Sequence, residues 1–162
     1  MKNLIVICIL VFCSAADAKE YIYTNYSLTK EDNGGRFSHK ISITRGVEWR
    51  GHSGQKLTFC KPSEEFYCIY SGGTHFAVPK KKLSLGDVWE HKGKIFRIIG
   101  SEYFNFLGKK ISVDVISSEF NSNRTDYFYY SAAKGLVAIK YEWKGDDDAK
   151  FYLLEDSRGF PF

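Results

Sequence analysis

Histidine and cysteine are the side chains of this chain best suited to chemistry near neutral pH. The first changes charge there, and the thiolate of the second is both a nucleophile and a metal ligand. The histidines are His39, His52, His75 and His91, and the cysteines are Cys8, Cys13, Cys60 and Cys68. Spacing decides what such residues can do together. No His-x-His or His-Glu-x-x-His pair places two imidazoles on one face of an element, and no Cys-x-x-Cys pair offers two thiolates to one metal. No Gly-x-Ser-x-Gly elbow presents a serine nucleophile. Glu48, Glu90, Glu102, Asp114 and Glu119 are scattered and read as solvated strand faces and turns. Asp146-Asp147-Asp148 lacks the spaced ligands and distal glutamate of a calcium loop and reads as a hairpin tip. No catalytic residue, metal site or cofactor is expected, and the chain reads as a non-enzyme.

The compartment explains the cysteines. Met1-Lys2-Asn3 precedes an apolar run from Leu4 to Phe12, and Ala16-Asp17-Ala18 supplies the small-x-small pattern that signal peptidase cuts. Residues 1–18 are therefore expected to be a signal peptide, leaving residues 19–162 as a single β domain that is periplasmic or secreted. The apolar run is shorter than the roughly 20 residues of a spanning helix and no later segment reaches that length, so no transmembrane segment is expected after cleavage. Bulky Phe12 before Cys13 argues against lipid attachment there. Cys8 and Cys13 leave with the signal peptide. Cys60 and Cys68 then meet an oxidising environment at a separation of 8 and are expected to form a disulfide. Cleavage removes one lysine and one aspartate and keeps the net charge at +4. So small and dispersed an excess is not a nucleic-acid footprint.

The elements that must hold these residues are strands. From Phe37 to Trp49 the odd positions Phe37, His39, Ile41, Ile43, Arg45, Val47 and Trp49 alternate with mostly polar even ones, which predicts one half-buried strand with His39 and Arg45 on its covered face. Val137, Ile139, Tyr141 and Trp143 alternate with Ala138, Lys140, Glu142 and Lys144, and Ile111, Val113 and Val115 with Ser112 and Asp114. Further β-rich runs are 21–28, 56–60, 66–70, 95–99, 127–130 and 151–154. Turn signals separate them at 32–35, 51–54, 71–73, 91–93, 107–109 and 144–147. The fold class expected is all-β: a single antiparallel curved sheet, open barrel or sandwich, with one disulfide and little helix.

Between Leu83 and Trp143 the order Leu83-x-x-Gly86-Asp87-x-Trp89, Gly93-Lys94, Phe96-Arg97-Ile98-Ile99-Gly100, then Tyr129-Tyr130-Ser131 leading to Gly135-Leu136-Val137, resembles a group of exported bacterial β-sheet proteins of unknown function. In that group a Gly-x-x-Trp strand opens the unit and a Tyr-aromatic-Ser to Gly-Leu-Val hairpin closes it. The resemblance implies fold and export, not a reaction. The residues alone say as much, since Gly135 suits a hairpin corner and the tyrosines suit a packed sheet face.

Aromatic residues make up 17% of the chain, enough that some must line a groove or reach the surface as well as fill the core. Together with Lys80-Lys81-Lys82 after Pro79 and the Ser71-Gly72-Gly73-Thr74-His75 turn, this points to an exported binding protein acting on a macromolecular partner or envelope component. The candidate binding residues are His75, Lys80, Lys81 and Lys82. The alternatives are a lipocalin-like carrier of a small apolar ligand, which a cavity on the concave sheet face would support, and a hydrolase built on scattered histidines and carboxylates.

Overall fold

The computed structural model of the chain describes residues 20–25, 40–44, 46–50, 52–145 and 149–161. They form strands and turns with no helix: β1 (Tyr21–Asn25), β2 (Lys40–Thr44), β3 (Val47–Arg50), β4 (Ser53–Lys56), β5 (Thr58–Phe59), β6 (Phe66–Tyr70), β7 (His75–Pro79), β8 (Val88–His91), β9 (Lys94–Phe106), β10 (Lys109–Asn121), β11 (Arg124–Ser131), β12 (Gly135–Trp143) and β13 (Lys150–Leu154). A ten-stranded antiparallel sheet runs β4-β3-β2-β1-β13-β12-β11-β10-β9-β8 and does not close on itself. A second sheet has the order β5-β6-β7. The all-β antiparallel class and the Cys60–Cys68 disulfide are thus as the sequence predicts.

Turn chemistry sets the registers. Lys92-Gly93 joins β8 to β9 with φ of 51° and 73°, and Leu107-Gly108 joins β9 to β10 with φ of 48° and 74°. Two positive φ values in a two-residue loop match the twist of the flanking strands. Gly135 opens β12 with φ of 78°, and a Cβ there would stand 2.6 Å from the carbonyl oxygens of both Gly159 and Phe160. The C-terminal segment lies against this corner, with Leu136 N–H donating to Phe160 O at 2.7 Å and Gly159 N–H to Lys134 O at 2.8 Å.

The small sheet fills the inner face of the large one. Phe76 of β7 lies 5.1 Å from Phe128 of β11 and 6.4 Å from Phe160, ring to ring. Trp89 Nε1 of β8 donates to Ala77 O at 2.9 Å, and the Trp89 ring stacks on Phe96 of β9. Phe76, Phe96, Phe128, Ile139 and Tyr23 are fully buried. Other aromatics make a second cluster on the outer face, where Phe104 sits 5.2 Å from Tyr129 and 6.0 Å from Phe151. The aromatic excess is therefore spent largely on two packed layers.

The hairpin predicted over 125–143 is β11–β12, two interior strands of the large sheet, with Asp126 opposite Tyr141 and Phe128 opposite Ile139. Val137, Ile139 and Tyr141 are buried as expected and Trp143 is half-buried. The single strand expected over 37–49 is corrected. Its described residues form a hairpin of β2 and β3, with Thr44 opposite Val47 and Ile43 opposite Glu48. A two-residue turn shifts the alternation by one, so Glu48 faces the core at 1% exposure and Trp49 faces out at 45%. The 51–54 turn is also shorter than expected, because Ser53 and Gly54 already belong to β4. His39, Arg45, the 32–35 turn and the Asp146-Asp147-Asp148 tip lie outside the described residues.

Candidate functional site

Alternation along β8 and β9 builds the first feature. Trp89 points inward between β7 and β9, whereas Val88, Ile95, Arg97 and Ile99 point outward. Beside Trp89, Phe66 at the start of β6 and Pro79 at the end of β7 complete an apolar groove of about 440 Å³ with Glu65, Lys80 and Lys81 on its rim. Phe66 and Pro79 are cross-strand partners, which fixes the groove's width. Lys80 Nζ donates to Pro62 O at 2.6 Å and sits 5.2 Å from the Tyr67 ring, so its charge is held at the rim, and Lys81 and Lys82 are exposed. β8 is the last strand of the large sheet, with no strand beyond it among the described residues. On its outer face Val88, Ile95 and Ile99 are 52%, 62% and 48% exposed around Arg97, which is opposite Val88. Ile95, Arg97 and Ile99 also line the larger depression of about 850 Å³ over β9–β11, whose rim mixes Lys94 with Glu119.

The second feature is a histidine pair on the disulfide. His75 opens β7 and His91 ends β8, and the two rings meet with His75 Nε2 2.9 Å from His91 Nδ1. The other nitrogen of His91, Nε2, stands 3.5 Å from Cys60 Sγ. Phe66 packs on His91 at 5.3 Å and Phe96 on His75 at 5.5 Å. Burial makes a charged imidazole costly here, and with His91, Lys94 and Lys92 nearby it lowers the His75 pKa to about 4. Burial is also the main cause that lowers His91, joined by Lys92 and opposed by Glu64. Both shifts favour the neutral imidazole. The disulfide ties the end of β5 to β6, where Cys60 N–H also donates to Cys68 O at 3.2 Å.

A third set of polar residues is internal. Glu48 accepts hydrogen bonds from Ser71 Oγ and, at 2.8 Å, from Thr74 Oγ1, which in turn lies 2.7 Å from Tyr141 OH. Arg124 holds Asp126 through Nε at 2.7 Å and Nη2 at 2.9 Å and donates to Gly73 O at 2.9 Å. Ser71 Oγ accepts from Gly73 N–H and Thr74 N–H. The 71–75 turn is therefore pinned to β3, β11 and β12, and Glu48 is a buried anchor where the sequence reads a solvated face.

Of the candidate binding residues, Lys80 and Lys81 reach one groove, with Lys82 following them, while His75 lies at the other end of β7 and faces His91. The sequence reading missed the meeting of His75, His91 and Cys60. Their separations of 16 and 31 along the chain leave no local motif, and only the pairing of β6 with β7 and the placing of β8 against them bring them together. No helix among the described residues is long and apolar enough to cross a membrane. No family model matches the chain, nor does any curated protein or solved structure, and its function is read from its own geometry.

Proposed function

We propose that this protein is an exported, non-enzymatic binding protein whose partner is another protein, held at the Phe66–Pro79–Trp89 groove and the adjoining β8 edge. The groove carries the reading: a slot of about 440 Å³ formed by Phe66, Pro79 and Trp89, with Lys80 and Lys81 outnumbering Glu65 on its rim, suits an apolar side chain flanked by carboxylates. The exposed Val88 on the edge strand β8, with Ile95 and Ile99 beside it on β9, favours a protein over a polysaccharide, because aliphatic side chains next to an open sheet edge match another chain's side chains and backbone. A carrier would hold its ligand on the concave face, which the β5–β7 sheet occupies. The non-enzymatic reading is supported by how polar groups are used, since His75 and His91 face each other and the disulfide and Glu48 is engaged by Ser71 and Thr74.

The test replaces Lys80, Lys81 and Lys82 together by Ser. The probes are a synthetic Asp/Glu-rich peptide with a central Phe, an anionic polyuronate and phosphatidylglycerol vesicles. The peptide should bind the native protein, and the substitution should weaken it by about 5- to 50-fold at low salt and less at high salt, as screening removes the attraction. Equal affinity of variant and native protein sinks the site. Binding of polyuronate or vesicles without the peptide sinks the protein-partner reading.

A further inference from the structure

We propose that the Cys60–Cys68 disulfide is one of two states of a single cluster, and that in the other state the reduced sulfurs and His91 Nε2 bind a divalent cation of the zinc class. Cys60 Sγ, Cys68 Sγ and His91 Nε2 lie within 4.8 Å of one another. A tetrahedral zinc holds sulfur at ~2.3 Å and imidazole nitrogen at ~2.0 Å, which sets its ligand atoms roughly 3.3 to 3.8 Å apart. His91 Nε2 is 3.5 Å from Cys60 Sγ and already stands at such a separation. Opening the site requires only that the two sulfurs part, by rotation of side chains whose Cα atoms are 5.1 Å apart on paired backbone.

His75 completes the arrangement without touching the ion. A neutral imidazole carries one proton, so a metal on His91 Nε2 requires that proton on Nδ1, which faces His75 Nε2 at 2.9 Å and can donate to it. A partner behind a ligating histidine fixes its tautomer and orients its ring. Phe66 against His91 and Phe96 against His75 hold both rings in place. Cys68 is fully buried and Cys60 partly exposed, so a reagent reaches the cluster from the Cys60 side.

The conversion needs a two-electron reductant, here a dithiol. One of its thiolates attacks Cys60 Sγ and breaks the disulfide, and Cys68 departs as a thiolate and is protonated. The second thiol of the reductant displaces Cys60 and closes the reductant's own disulfide. Two electrons and two protons have then passed to the cysteines. Metal binding releases both thiol protons to solvent and leaves the fourth coordination position to water.

The experiment uses protein recovered after export, reduced with a phosphine and titrated with Co²⁺ alone. One ion should bind per chain with thiolate-to-cobalt charge-transfer and tetrahedral ligand-field bands, Zn²⁺ should displace it, and the oxidised protein should show no such bands. His91→Asn should weaken binding at least 10-fold and His75→Phe about 10-fold. Cadmium-113 NMR of the reduced native protein should give the shift of two sulfurs and one nitrogen, a reading that survives if a variant fails to fold. Absence of charge-transfer bands, a cadmium shift of sulfur and oxygen only, or loss of the near-ultraviolet dichroism of Trp89 on reduction each overturns the proposal.

Discussion

Acidification should weaken the fold through His75. The folded pKa is depressed from 6.5 to about 4, chiefly by burial and then by the charges of His91, Lys94 and Lys92. Below 6.5 the unfolded chain takes up a proton that the folded chain refuses, so stability falls as the pH drops from 6.5 and levels off below about 4. The full gap is worth ~3 kcal/mol at 1.36 kcal/mol per pH unit, and solvent screening of this partly exposed ring brings it to ~1–2 kcal/mol. His91 is lowered too and acts in the same direction. The assay is urea unfolding followed by tryptophan fluorescence between about pH 7 and about pH 4, for native protein and for His75→Gln, whose amide can still meet His91. The variant should lose ~1–2 kcal/mol less stability across that range. Parallel curves would refute the burial argument.

Other expectations concern the frame. Ile139→Ala should cost ~2–4 kcal/mol because Ile139 is fully buried, whereas Lys140→Ala should cost under ~0.5 kcal/mol because its 2.9 Å pair with Glu142 is partly exposed to solvent, both read by chemical unfolding. Gly135→Ala should cost more than ~2 kcal/mol and Gly93→Ala about 1 kcal/mol, since both have positive φ but only the first sets its Cβ against backbone. Reducing the disulfide should cost ~2–3 kcal/mol without unfolding the chain, which circular dichroism with and without reductant would measure.

Period-two patterning was enough to read the β11–β12 hairpin, because Ile139 to Trp143 lies in one strand with Lys140 and Glu142 on its other face, although Ala138 on that face is buried as well. It misled over 37–49 for a physical reason: Gly46, with φ of 77°, turns the chain, and beyond a two-residue turn odd and even exchange faces. Glu48 therefore looked solvated and Trp49 buried, when the reverse holds. The disulfide was legible from the cysteine count and spacing read with the expected compartment. The histidine cluster was not, since each pair in it depends on strands placed side by side by the long-range order of two sheets. The lysine run was visible in sequence, but the Phe66, Pro79 and Trp89 slot beneath it needed the β6–β7 register and the inward turn of Trp89.

The most direct test of the account is a nitrogen-15 NMR titration of the protein, residues 19–162, with the acidic Phe-centred peptide. The account predicts saturable shifts at the Trp89 indole N–H and at the amides of Phe66, Lys80, Lys81 and Val88, with the fully buried Ile139 and Phe128 unmoved. Saturable binding whose shifts spare Trp89 and Lys81, or no shifts at all, would contradict it.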